Sequence, residues 1–220
     1  MAPLGPFVIV LSLAGASCKT VGGGGGSIVQ PGAPGQPTRP MAASAAADRS
    51  RIRYTAADVR FMQGMIGHHA QALEMTALVP SRTSRDALKL LAQRIDVSQR
   101  DEIAMMRAWL EARGQPVPDP HAHQHGAAAA SPPASTTLMP GMLTAGEMTR
   151  LAAASGPAFD RFFLESMIKH HDGALVMVKA LFATPGAGQE PEMFAFASDV
   201  DADQRMEIDR MSAMLKEWQQ

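Results

Sequence analysis

The pattern M-I-x-H-H-x-x-A-L-x-M occurs twice in this chain, at residues 65–75 and 167–177. A self-match of that length limits the architectures available, because each copy must adopt the same unit and the two units must then bury each other. The match extends beyond the motif. Asp58, Phe61, Met65, Ile66, His68, His69, Ala72, Leu73 and Met75 recur as Asp160, Phe163, Met167, Ile168, His170, His171, Ala174, Leu175 and Met177, at a constant offset of 102. A second block follows in each half. Ala92, Asp96, Gln99, Arg100, Glu102, Ile103, Met106 and Leu110 recur as Ala197, Asp201, Gln204, Arg205, Glu207, Ile208, Met211 and Leu215, at an offset of 105. Apolar residues in both blocks return at spacings of three and four, which is helical. Each half is therefore an amphipathic helical hairpin. Two such hairpins docked stripe to stripe give an all-α four-helix bundle with a pseudo-twofold axis.

Element boundaries follow from capping and breaker residues. Thr55 with Asp58 is close to a capping box and opens the first helix, which Pro80 is expected to stop after Val79. Ser84 is the expected cap of the second helix, ended near Arg113 by Gly114 and Pro116. Thr144 with Glu147 opens a short helix to about Ala154, and Ser155-Gly-Pro157 starts a long one that ends near Ala183. Pro191 starts the last helix. The folded domain thus covers 49–220, with hairpin one at 55–114, a His/Pro linker at 115–143 and hairpin two at 144–220.

The N-terminal part is different in kind. An apolar run from Phe7 to Ala16 leads through Ser17 to Cys18, the only cysteine. Residues 1–18 read as an export signal with a lipobox-like end, and Cys18 as a candidate lipid anchor to a membrane. Residues 19–48, with GGGGG and PGAPGQP, read as a flexible tether that has nothing to bury. This places the protein outside the cytoplasm, in the cell envelope or secreted. A net charge of -1 gives no basic field for nucleic acid.

The histidines occupy the wrong positions for a solvated surface. Phe61, Met65, His68, Ala72, Met75 and Val79 form one apolar stripe, and His69 falls in the neighbouring one with Met62, Ile66 and Leu73. The second helix carries Gln99 and Glu102 in its stripe, repeated as Gln204 and Glu207. Counting from the hairpin turns puts His68 level with Gln99 and His170 with Gln204, and puts Met65 near Glu102 and Met167 near Glu207. A polar layer at mid-height results. Burying it is costly unless each group is paired or bound. One reading is a metal-free hydrogen-bonded layer that fixes register in a structural or interaction module. The other is a metal site.

Imidazole together with thioether selects copper over hard cations. Met65 stands three and four residues before His68 and His69, on one helical face. Adjacent histidines on an intact helix do not readily share an ion, so one per copy is the principal ligand and the other a supporting or separate one. Gln99, Glu102, Gln204 and Glu207 are the candidate hydrogen-bond partners around the ligands. The linker adds His121, His123 and His125, followed by Met139, Met142 and Met148, as a weaker candidate site for loose capture of copper. A di-iron oxidase on such a bundle needs Glu-x-x-His pairs, which this sequence lacks.

The paired D-x-x-F-x-x-M-I-x-H-H-x-x-A-L-x-M and Q-x-x-E-I helices, separated by M-P-G-M-L-T, resemble the domain-of-unknown-function 305 family over about residues 50–220. The resemblance implies a ferritin-like bundle, exported or lipid-anchored, and a copper site carried by Met65, His68, His69, Met75, Met167, His170, His171 and Met177. The copies differ at Gln63-Gly64 against Glu165-Ser166, and Lys169, where the first copy has Gly67, is expected to crowd the second His-His. The expected function is copper sequestration or delivery without turnover, with a copper exporter or chaperone as partner. A metal-dependent redox enzyme is the third reading. Ligand histidines must be neutral to bind, so copper affinity should fall steeply below about pH 6, near the free imidazole pKa.

Overall fold

The computed structural model describes residues 28–32, 34–41, 53–119 and 138–218. The candidate signal with Cys18 and the linker histidines His121, His123 and His125 lie outside the described residues. Five helices follow a short β-ribbon. They are α1 (Ala56–Arg82), α2 (Asp86–Ala112), α3 (Ala145–Ala153), α4 (Gly156–Ala183) and α5 (Pro191–Trp218). The four long helices form two antiparallel hairpins, α1 with α2 and α4 with α5, which meet through α1 and α4. This is the expected four-helix bundle, with α3 as a short addition. No helix among the described residues is long and apolar enough to cross a membrane.

Both expected capping boxes are present. Thr55 Oγ1 accepts from the Ala57 and Asp58 amides, and Asp58 Oδ2 accepts back from the Thr55 amide at 2.6 Å. Asp58 has a second duty, because its Oδ1 accepts from the Gly188 amide in the α4–α5 turn at 2.7 Å. Thr144 and Glu147 close the same motif on α3.

Two boundaries depart from expectation. Pro80 does not stop α1, which runs on to Arg82. A proline this close to the end removes a single amide donor, and the Thr83 amide still reaches Val79 O at 3.3 Å. Ser84 does not cap α2. Arg85 is the N-cap residue without a side-chain cap, and Thr83 Oγ1 instead accepts from the Arg85 amide at 3.0 Å.

The segment expected to be a featureless tether carries some order. Ile28–Gln30 and Arg39–Met41 pair antiparallel, and Gln30 is buried. Arg39 donates to Phe182 O at 2.8 Å and to Ala183 O at 3.3 Å, which caps the C-terminal end of α4 with a cation.

The core falls into two clusters. One holds Phe61, Met65, Ile66, Trp109, Phe182 and Phe196; the other holds Met75, Leu88, Ile95, Phe159, Phe163 and Met167. On every long helix the break between clusters falls on the same stretch, residues 67–71, 96–105, 168–173 and 201–210. The polar layer sits in that break.

A histidine layer at the middle of the bundle

His68, His69, His170 and His171 are all completely buried, as the periodicity predicted. His68 and His170 face each other across the α1–α4 interface, with ring centroids 3.8 Å apart and planes inclined by 37°. Each has its sequence neighbour further out, His69 at 6.2 Å from His68 and His171 at 6.3 Å from His170. The four imidazoles thus form one row across the α1–α4 interface.

The outer pair is held by carboxylates. His171 Nε2 bonds Glu207 Oε2 at 2.6 Å, and His69 Nε2 bonds Glu102 Oε2 in the same way. Glu102 therefore meets His69, whereas the sequence count had put it near Met65. Helical side chains lean toward their own N-terminus, so Glu102 reaches back along α2. Gln99 and Gln204 are buried in the layer as expected, yet both polar atoms of Gln99 and Oε1 of Gln204 have no hydrogen-bond partner. Neither acts as the partner of a histidine.

The inner pair is held on one side only. His68 Nε2 donates to Pro140 O at 3.0 Å, whereas neither nitrogen of His170 has a hydrogen-bond partner. Pro140 belongs to a strap, residues 138–144, that crosses α1 and α4 beside the histidines. Gln71 fastens it by donating to Leu143 O at 2.9 Å and accepting from Leu143 N at 2.7 Å. On α4 the position matching Gln71 is Gly173. A Cβ there would lie 2.0 Å from Pro140 O, so only glycine lets the strap come this close. Gln71, Gly173 and the Pro140 carbonyl were missed in the sequence. The available signal was the mismatch of Gln71 with Gly173, one of the positions at which the two copies differ.

Lys169 does not crowd the second His-His. Its ammonium pairs with Glu147 Oε1 at 2.9 Å on α3, away from the layer. The methionines divide. Met65 and Met167, one turn before the histidines, have no exposed surface, and Met75 is equally buried. Met177 is only partly buried.

Burial sets the protonation of the inner pair. Desolvation first, then the neighbouring His69, lowers the His68 pKa from 6.5 to about 3, against which the Pro140 carbonyl pulls. His170 is driven well below 6.5 by desolvation and then by His68; the His68 backbone opposes this weakly without hydrogen-bond geometry. Both rings are neutral and present lone pairs. Nδ1 of His68, His69 and His171 and both nitrogens of His170 are buried without a partner. Such a group of orphaned nitrogens is rare in a finished core. Among the described residues, no three His, Cys, Asp or Glu side chains converge as a metal-holding group.

Residues 58–219 match the family model described as domain of unknown function DUF305. The chain belongs to the DUF305 family. Solved DUF305 structures share its fold. A DUF305 fragment from Deinococcus radiodurans is 31% identical with a TM-score of 0.62, covering 74% of this chain and 98% of that one. A DUF305 protein from Streptomyces coelicolor, described as a candidate secreted protein, is 28% identical with a TM-score of 0.61, covering 74% and 93%. CopM in its Cu(I)-bound form is 28% identical with a TM-score of 0.56, covering 76% and 99%, and CopM has also been solved with Cu(II) and with silver. Among curated proteins, uncharacterized protein L153 of Acanthamoeba polyphaga mimivirus is 38% identical over 56 residues, which span 37% of its length.

Proposed function

We propose that this DUF305 protein binds copper in its histidine layer, for sequestration or delivery in the cell envelope and without turnover. The observation that carries the reading is the set of buried imidazole nitrogens that have no hydrogen-bond partner. A layer that served register alone would pair those nitrogens, since each unpaired polar group in a core costs about 1–3 kcal/mol. Glu102 and Glu207 occupy Nε2 of His69 and His171, which leaves Nδ1 as the donor atom for a metal. Met65 and Met167 stand one turn away and supply soft sulfur, which suits Cu(I). CopM, similar over nearly its whole length, is known with Cu(I), Cu(II) and silver bound, and that similarity supports the choice of metal. The Streptomyces relative and the signal-like N-terminus support an extracytoplasmic site of action, with Cys18 as the proposed lipid anchor and a copper exporter or chaperone as the proposed partner.

A Cu(I) competition titration with a chromogenic chelator, on the protein and on a variant with His68, His69, His170 and His171 all changed to alanine, tests this. Tight binding is expected in the first and lost in the second. Equal binding by both would remove the layer from the site. A variant that merely melts at lower temperature, beside a parent protein that binds no copper, would make the layer structural.

A further inference from the structure

Gly64 lies one turn before His68 on α1, at a point where two other elements converge. A Cβ built there would be 3.4 Å from Met139 Sδ and 3.5 Å from Met177 Cε. Met139 comes from the strap and Met177 from α4. Both are partly buried, so the Met139 sulfur and the Met177 methyl border one stretch of helix that has no side chain of its own. The second half of the repeat has no such feature. Ser166 stands in place of Gly64, and Met75, the counterpart of Met177, has no exposed surface. No second strap covers it among the described residues.

We propose that Met139 and Met177 form an outer thioether site for a soft monovalent cation, through which Cu(I) enters the histidine layer. Two unbranched thioethers offer polarizable sulfur and no charge, a donor set that takes Cu(I) or Ag(I) and leaves hard cations in water. Partial exposure lets the ion arrive from solvent, which the completely buried imidazoles cannot do directly. The site also lies next to the strap contact on His68. Met139 precedes Pro140, whose carbonyl occupies His68 Nε2. An ion drawn to Met139 therefore sits one residue from the strap contact that must open to free that nitrogen. Passage onward to the histidines rests on the reading of the layer as a copper site; the outer site itself does not.

Silver(I) titration of the protein carrying 13C-methyl methionine tests the proposal, with the two signals assigned from Met139→Leu and Met177→Leu variants. The Met139 and Met177 methyl signals should move together with the first equivalent of Ag(I). They should do so in the four-histidine variant as well. In a Gly64→Leu variant, whose side chain fills the space bordered by Met139 Sδ and Met177 Cε, both responses should be lost. Two still signals in the parent protein, or one moving without the other, would overturn the outer site. If both move but the chelator titration finds no histidine-dependent binding, the outer site stands and the histidine reading falls.

Discussion

The tension in this protein is concentrated in a few side chains. His68 keeps a neutral ring because the fold withholds water from it, and its pKa of about 3 lies far below the 6.5 of the unfolded chain. Between those values the unfolded state binds a proton that the native state does not. Stability is therefore lost as pH falls from about 6.5 toward about 3, by on the order of 2 kcal/mol at pH 5 for His68 alone. Thermal midpoints of the metal-free protein across that range should show the slope, and a His68→Gln variant should flatten it. The same shift revises the expectation that copper affinity drops below about pH 6, which assumed ordinary imidazole basicity. With protons already excluded from His68 and His170, affinity should hold down to the pH at which the bundle unfolds. Glu102 offers a second prediction. Glu102→Gln keeps the shape but loses the charge that orients His69, and should weaken copper binding by about 10–100-fold in the chelator titration. An unchanged affinity would mean His69 is not a ligand.

At the scale of elements, the strap decides how the two copies differ. It is fastened to α1 by the Gln71 amide and pressed against α4 at Gly173. Gly173→Ala would drive a methyl group into the Pro140 carbonyl, a backbone atom that cannot rotate away. The strap should lift at a cost of about 1–3 kcal/mol. Hydrogen exchange is the direct measurement, since the Leu143 amide now donates to Gln71 and should exchange faster once released. Unaltered protection at Leu143 would show that the close approach contributes nothing to holding the strap. The helices themselves were well marked in the sequence. Thr55 with Asp58 and Thr144 with Glu147 open α1 and α3 as expected. Pro80 and Ser84 misled, because breaker and capping tendencies are weak beside the apolar stripe that continues past them. The structure extends α1 to Arg82 and leaves α2 without a side-chain cap.

For the whole molecule, each hairpin supplies part of a shared core, since both apolar clusters draw on both hairpins. The His68–His170 contact exists only when α1 docks on α4. Separately produced segments 53–119 and 138–218 should each be poorly ordered, with tight copper binding recovered only on mixing. Methyl NMR dispersion of each piece alone checks this, and a well-dispersed spectrum from either would refute the interdependence. The duplication, the helix count, the bundle and the buried row of histidines were all legible in the sequence, because periodicity and repetition report which face of a helix must leave water. Other features were not: the Glu102–His69 pairing, the strap on His68, Lys169 turned to Glu147, and Met139 and Met177 both reaching Gly64. Each joins residues from different elements at a distance set by docking, and a periodic pattern gives the direction of a side chain but not what stands opposite it.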